Sequence, residues 1–137
     1  MRVCIDTNAL VQLFGRNEVG RPIRDALLAG RIELAVSNEI LLEYEETITL
    51  LSGPARWQQV ERFFTVLFHL HGNIVFIEPH FRFAVITADP DDNKFSDCAI
   101  AAQADYIITS DRHFDALIGA GHKPRAIAPE EFIRGHL

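Results

Sequence analysis

Two acidic residues at the ends of apolar segments could bind a metal ion. Asp6 follows the apolar residues 3–5, and Asp111 follows an apolar segment that begins at Tyr106. A helical pattern starts after each acid, so both carboxylates are expected at the carboxyl end of a buried strand, where α/β proteins often hold reactive groups. Asp is also a favoured helix N-cap, so capping explains either residue equally well when it is considered alone.

A third carboxylate, Asp97, is the only charge among the small and apolar residues 95–102. Ile100 and Ala101 follow it by three and four residues and therefore share its side of the predicted helix. A partly buried carboxylate is costly unless a cation or hydrogen-bond donors meet it. We interpret Asp97 as a candidate metal ligand, and the alternative is that this side of the helix faces solvent.

Further acids lie in polar surroundings that give a less specific signal. Glu43 lies at the border of the apolar face of a helix that Ser37 is expected to cap, and periodicity alone fits a solvated side chain there. The loop before the Asp97 helix contains three acids, of which Asp91 or Asp92 is expected to cap that helix. Asp92 could also reach a metal through a bound water.

Other motifs that carry chemistry are absent from the sequence. There is no G-x-x-x-x-G-K or G-x-G-x-x-G segment, and no H-E-x-x-H or paired C-x-x-C zinc pattern. The six histidines do not cluster at ligand spacing. Cys4 and Cys98 lie in apolar segments and are predicted to be reduced core thiols. The remaining carboxylates offer only oxygen ligands, which select hard cations such as Mg²⁺ or Mn²⁺.

Length and charge set broad limits on the protein. The 137 residues fit one domain, 1–137, and the net charge of −6 does not favour nucleic-acid binding by bulk electrostatics. No apolar run approaches the roughly 20 residues that span a bilayer, and the N-terminus lacks the features of a signal peptide. We therefore expect no membrane association and a cytoplasmic location.

Strand and helix patterns alternate along the chain. Strands are predicted at residues 2–6, 33–36, 74–77, 106–109 and 126–128. Helices are predicted at 8–14, 22–29, 37–51, 55–70 and from the acidic loop to about 104, with a helical turn at 81–86, a short helix at 114–118 and a terminal helix from 129. This alternation predicts a parallel sheet covered on both faces, with residues 2–6 as a central strand and the site at the carboxyl edge.

Four sequence segments together resemble the PIN-domain ribonucleases. They are Asp6-Thr7-Asn8 after the first strand, Glu43 in the helix that Ser37 opens, Asp97 in D-C-A-I-A-A, and Thr109-Ser110-Asp111 after a strand. The subgroup that the chain resembles most is the toxin component of bacterial-type toxin–antitoxin pairs (VapC-like). In that subgroup a D-P-D-D-N-K-F-like segment precedes the third acid, as residues 89–95 do here.

This resemblance implies both a fold and an activity. The fold would be a three-layer α/β/α sandwich with a parallel sheet of four to five strands, and the activity Mg²⁺- or Mn²⁺-dependent cleavage of single-stranded RNA. The acidic quartet that holds the metal would be Asp6, Glu43, Asp97 and Asp111. Because many relatives separate the third and fourth acids by about one more helical turn, Asp115 is an alternative to Asp111.

The resemblance also implies supporting residues and protein partners. Asn8 and Ser110 would be polar groups near the metal. Relatives often pair as homodimers and bind an antitoxin protein, although no segment of this sequence identifies a partner.

Two alternative functions come from different classes. A phosphatase of the haloacid-dehalogenase type also begins with an Asp after its first strand, but its chemistry needs a second Asp where this chain has Asn8. A PIN domain without catalytic activity could bind RNA or a protein, since a fold does not guarantee an activity.

Overall fold

The computed structural model describes residues 1–137 and has five strands, six α-helices and two 3₁₀ segments. The strands are β1 (Arg2–Ile5), β2 (Glu33–Val36), β3 (Ile74–Phe76), β4 (Tyr106–Ile108) and β5 (Arg125–Ile127). The helices are α1 (Thr7–Leu13), α2 (Arg21–Leu28), α3 (Asn38–Ser52), α4 (Pro54–Leu70), α5 (Asn93–Ala101) and α6 (Pro129–His136). The 3₁₀ segments are Pro90–Asp92 and Arg112–Leu117.

All five strands are parallel and lie in the order β3-β2-β1-β4-β5. The predicted α/β class and parallel sheet are confirmed, and β1 is the central strand, as predicted. The first three strands lie side by side in chain order, from β1 to the edge strand β3. The chain then crosses back, and β4 pairs with the opposite side of β1. Because the strand order reverses between β1 and β4, a ligand crevice is expected outside the carboxyl ends of these two strands.

One continuous hydrophobic core lies between the sheet and its helices. The small-residue face of α5 packs against β1, β2 and β4, which is why Cys98 and Ala99 are fully buried. Cys4 and Cys98 are both free and buried, as the sequence predicted. No helix has the length and hydropathy required to cross a membrane.

Local sequence signals set several helix boundaries. The Ser37 hydroxyl accepts the backbone N–H of Ile40 at 3.3 Å and caps α3, as predicted. Gly53 separates α3 from α4 with φ +88° and ψ 166°, a conformation that is open to glycine and costly for other residues. Pro54 then occupies the first turn of α4, where its missing N–H costs nothing.

One local prediction is wrong and two are met only in part. Residues 81–86 do not form a helical turn, because α5 side chains bind the backbone N–H groups of Phe83 and Ile86. The short helix predicted at 114–118 is present as the 3₁₀ segment Arg112–Leu117. Asp92 is the N-cap residue of α5, as predicted, but its side chain makes no capping hydrogen bond, whereas Asp89 accepts the N–H of Asp91 at 3.2 Å and caps the preceding 3₁₀ turn.

The end of β1 is fixed by Tyr44, whose buried hydroxyl donates a hydrogen bond to the carbonyl oxygen of Ile5. We expect Tyr44→Phe to lower the free energy of unfolding by about 1–3 kcal/mol, because it leaves this buried carbonyl without a partner. Urea denaturation measures the change. Tyr106→Phe is the matched control, since the Tyr106 hydroxyl makes no hydrogen bond, and equal stability of the wild type and Tyr44→Phe would contradict the prediction.

Candidate metal centre

Asp6 lies at the carboxyl end of β1 and is only 6% exposed. One carboxylate oxygen caps α1 by accepting the N–H of Ala9 at 2.8 Å, and the other accepts the hydroxyl of Thr109. The same Thr109 hydroxyl accepts the N–H of Asp111 at 2.9 Å, so it connects the ends of β1 and β4. Both strand-end acids therefore lie in the crevice that the sheet topology predicts.

Glu43 reaches the same crevice from α3. Its Oε2 accepts the hydroxyl of Thr7, the residue after Asp6, and its Oε1 lies 2.8 Å from the Nζ of Lys94. Lys94 also lies 3.2 Å from Asp91, and the Lys94 and Glu43 side chains are only 16% and 21% exposed. The polar border position of Glu43 on α3 thus holds a partly buried carboxylate, not a solvated one.

Asp92 joins the cluster through His113. The Nδ1 of His113 lies 3.4 Å from Asp92 Oδ2 and 3.4 Å from Asp111 Oδ1, and 4.0 Å from Asp89 Oδ2. The ligand atoms of Asp89, Asp92 and His113 all lie within 4.8 Å of one another. Asp92 makes no capping bond to α5, so its carboxylate is free to face this group.

Two of the acids, Asp6 and Asp92, hold protons more tightly than isolated carboxylates. Burial raises the pKa of Asp6 despite its two hydrogen bonds, and the charges of Asp111 and Glu43 raise it further. Burial, followed by the charges of Asp89 and Asp111, raises the pKa of Asp92 to about 6 against the opposing effect of His113. Clustered carboxylates with raised pKa values are what a cation site shows when no cation balances them.

Lys94 is a cation already placed beside these acids. Burial alone would lower its pKa, but hydrogen bonds to Glu43 and Asp91 outweigh burial and raise it. Lys94 therefore stays protonated near neutral pH and neutralises part of the carboxylate charge in the crevice.

Asp97 is buried, at 8% exposure, but its contacts differ from those of the other predicted acids. Its Oδ1 accepts the backbone N–H of Phe83 at 3.0 Å. Burial raises its pKa, and the neighbouring charges that act on it are those of Glu39 and Arg82. The charges that act on Asp6 are those of Asp111 and Glu43. The direct coordination of a metal by Asp97 remains a prediction, and the contacts favour Asp92 in its place.

The remaining predicted residues lie at the margin of the cluster. Asn8 and Ser110 are exposed neighbours of Asp6 and Asp111, and their side chains form no hydrogen bond. Asp115 is an exposed residue of the 3₁₀ segment and lines a different cavity of about 480 Å³. Its position favours Asp111 over Asp115 as the fourth acid, although their roles at a metal remain predictions.

Four residues of the cluster were missed in the sequence or not assigned a role. Thr7 directly follows Asp6, and Thr109 lies two residues before Asp111. These positions next to the strand-end acids were the only sequence signal for a role of the two threonines in the site. Lys94 lies three residues before Asp97 and shares its helix side, a spacing that identifies a neighbour but not a partner. His113 has no sequence signal, because its contacts with Asp92 and Asp111 arise from the packing of separate segments.

The raised pKa of Asp92 predicts how stability depends on pH. Because the folded protein binds the Asp92 proton more tightly than the unfolded chain does, its stabilising effect is complete below about pH 4 and is lost as the pH rises through about 6. We therefore expect the free energy of unfolding of the metal-free protein to fall over this range. Urea denaturation in EDTA at several pH values measures it, and an equally steep fall in Asp92→Asn would contradict the assignment to Asp92.

The donor set of the crevice fits a hard divalent cation. Asp6, Glu43, Asp92 and Asp111 supply carboxylate oxygens, the ligands that Mg²⁺ and Mn²⁺ prefer. The raised pKa values of Asp6 and Asp92, and the repulsion that Asp111 and Glu43 exert on Asp6, mean that a cation would relieve an unfavourable charge arrangement. The arrangement is therefore suited to reactions in which a metal stabilises negative charge, such as phosphodiester hydrolysis.

Comparisons with known proteins bear on the fold and the family of the chain. No curated protein matches the chain. Among solved structures, the chain is similar to one in the VapBC2 structure of Rickettsia felis, bound to a DNA fragment from its promoter. The TM-score is 0.59 at 16% identity, and the match covers 92% of this chain and 98% of the other. At that identity the likeness shows the fold. A family model of the PIN domain matches residues 2–113, which is most of the sequence, and the chain therefore belongs to the PIN-domain family.

Proposed function

We propose that this protein is a metal-dependent ribonuclease that hydrolyses phosphodiester bonds of single-stranded RNA, and that it is the toxin of a toxin–antitoxin pair. The observation that carries the proposal is that the Thr109 hydroxyl joins the Asp6 carboxylate to the backbone N–H of Asp111 at the ends of β1 and β4. Glu43 reaches the same edge of the sheet by its contact with Thr7, the residue after Asp6. Membership of the PIN-domain family supports nuclease chemistry at such a site.

In the proposed site, Asp6, Glu43, Asp92 and Asp111 hold Mg²⁺ or Mn²⁺, directly or through water. The bound cation supplies positive charge that polarises a phosphoryl oxygen and favours the deprotonation of water. Thr109 and Thr7 orient the carboxylates of Asp6 and Glu43 through their hydroxyl groups. The His113 Nδ1 lies between Asp92 and Asp111, within 3.4 Å of an oxygen of each carboxylate, and can position both.

Lys94 has a second proposed task in this mechanism. Its ammonium group lies against Glu43 in a partly buried position and stays protonated. A substrate phosphate that approaches the crevice would meet this positive charge first, although the protein as a whole carries a charge of −6. Lys94 therefore reduces the repulsion that the acidic cluster would otherwise exert on RNA.

The antitoxin partner is a proposal by analogy with the VapBC2 complex of Rickettsia felis. Several apolar side chains are exposed on one side of α3 and α4, and they line a groove of about 690 Å³ together with the edge strand β3. On the wall of this groove, Phe64 is buried in the core, whereas Phe68 is exposed. A protein partner or a second copy would have apolar surface to cover.

The test is an assay of two substrates with the purified protein. A labelled single-stranded RNA and p-nitrophenyl phosphate are incubated separately with Mg²⁺, Mn²⁺ or EDTA. We expect RNA cleavage that requires the metal and no hydrolysis of the phosphate ester. Phosphatase turnover alone would support the haloacid-dehalogenase alternative, and no turnover of either substrate would support a binding module without catalytic activity.

A further inference from the structure

The segment between β3 and the first 3₁₀ turn exposes aromatic and basic side chains beside the metal centre. Residues 80–83 read His-Phe-Arg-Phe, and we call them the aromatic segment. Phe81 is 73% exposed, although burying such a ring would stabilise the fold. The ring centroids of Phe81 and Phe83 are 6.4 Å apart, and that of His122 lies 5.2 Å beyond Phe83. Three rings thus form a short row at the surface.

Although this segment has no regular secondary structure, side chains of α5 hold its backbone. Asp97 accepts the N–H of Phe83 at 3.0 Å. Asn93 accepts the N–H of Ile86 at 2.9 Å and donates to its carbonyl oxygen at 2.8 Å. Ala84, between these two anchors, has a φ of +52°, which is uncommon for a residue other than glycine and persists only where neighbours enforce it. The backbone at Phe83 is therefore held in place, and the Phe81 ring lies beside the Phe83 ring.

A polar cavity lies between the aromatic segment and Lys94. Its volume is about 280 Å³, and Phe81, Arg82, Lys94 and Asp97 lie on its wall. Lys94 also touches Glu43, one of the proposed metal-binding acids. The acids Glu39 and Glu78 lie on the same wall, so the cavity is not a positive surface. The exposed ring of Phe81 at its edge is a group that can hold a nucleic-acid strand without positive charge.

We infer that the aromatic segment stacks on unpaired bases of single-stranded RNA next to the cleaved bond, and that Asp97 is the positioning residue that holds this segment in place. The inference rests on the proposed function. Stacking suits a chain with a net charge of −6, because it supplies affinity that does not depend on a positive surface. Bases in a duplex are already stacked on each other, so the surface selects single strands.

The first test measures RNA cleavage kinetics with Phe81→Ala in Mg²⁺. Base–aromatic stacking predicts that KM rises about 5- to 100-fold while kcat stays nearly unchanged, and that Phe81→Tyr restores the wild-type KM. Phe68→Ala is the matched control, because Phe68 is an exposed phenylalanine on α4, outside the aromatic segment and the polar cavity. An unchanged KM in Phe81→Ala, or an equal rise in Phe68→Ala, would overturn the inference.

The second test removes the RNA base that is proposed to stack on Phe81. An RNA that lacks one base near the cleaved bond is expected to bind the wild-type protein as weakly as intact RNA binds Phe81→Ala. The same abasic RNA is expected to bind Phe81→Ala with no further loss of affinity. If the losses of affinity from the missing base and from Phe81→Ala add fully at every abasic position, stacking on Phe81 is contradicted. If the wild type cleaves no RNA, the proposed function fails, and fluorescence anisotropy of labelled single-stranded and duplex RNA with the same variants still decides whether the aromatic segment binds bases.

The role of Asp97 is tested with two substitutions. Asp97→Asn keeps an oxygen that can accept the Phe83 N–H, so its KM is expected to match that of the wild type. Asp97→Ala loses the acceptor and is expected to reproduce the raised KM of Phe81→Ala, with Mg²⁺ affinity unchanged by isothermal titration calorimetry. Loss of Mg²⁺ binding in Asp97→Asn would show that Asp97 is a metal ligand and would overturn its positioning role.

Discussion

Asp6→Asn is expected to reduce metal-dependent RNA cleavage by at least about a hundredfold. Substituting a residue that only orients a metal ligand already lowers metal affinity or activity by about 10- to 100-fold. Asp6 is proposed to coordinate the metal itself, so a larger loss is expected. The asparagine side chain still offers an oxygen to the N–H of Ala9, so the cap of α1 is kept. It also removes a charge that Asp111 and Glu43 repel, so the metal-free variant is expected to be at least as stable as the wild type.

Cleavage of labelled RNA and thermal unfolding are measured for Asp6→Asn beside Asp25→Asn. Asp25 is an exposed residue of α2 with an ion pair only to Arg21, so its substitution controls for the loss of one negative charge. Equal cleavage by Asp6→Asn and the wild type would refute the role of Asp6 and would also reveal a contaminating nuclease. A drop in activity accompanied by unfolding would refute the expectation that the fold is kept.

Asp92→Asn is expected to weaken Mg²⁺ binding by about 10- to 100-fold and to lower cleavage by a similar factor. The Asp92 side chain contacts His113 and makes no capping bond, so the substitution removes charge from the crevice without loosening α5. Titration calorimetry with Mg²⁺ measures the affinity, and single-turnover cleavage measures the rate.

Asp91→Asn is the control for Asp92→Asn, because Asp91 lies in the same turn and contacts Lys94 at the exposed side. Its metal affinity is expected to stay close to that of the wild type. If Asp92→Asn binds Mg²⁺ normally while Asp97→Asn does not, the quartet inferred from the family resemblance is correct, and the arrangement favoured by the contacts is wrong.

The sequence predicted the sheet well because strand and helix signals agree locally with the global fold. β2 and the cap of α3 follow from an apolar run and a following Ser37. The central place of β1 follows from its short apolar run and the acid at its end. The segment 81–86 was mispredicted because its apolar spacing resembles a helix, whereas Asp97 and Asn93 occupy its backbone N–H groups.

The site was predicted in part for a similar reason. Strand ends can be located from the chain alone, so Asp6 and Asp111 could be placed together. The direction in which a side chain leaves α5 depends on how that helix rotates against the sheet. Periodicity identified Asp97 as buried, which is correct, but it did not indicate that the Asp97 carboxylate faces Phe83. The contact between His113 and Asp92 joins segments 21 residues apart and has no local signal.

The hydrogen bond from Thr109 to Asp6 joins residues 103 positions apart. Closing so long a loop is slow relative to forming local helices, and β1 pairs with β4 only after the intervening segments exist. During synthesis, the acids of β1 and α3 emerge from the ribosome long before Thr109 and Asp111. A nascent chain therefore lacks the complete crevice until Thr109 and Asp111 have emerged, and the proposed cleavage of RNA would begin only after that point.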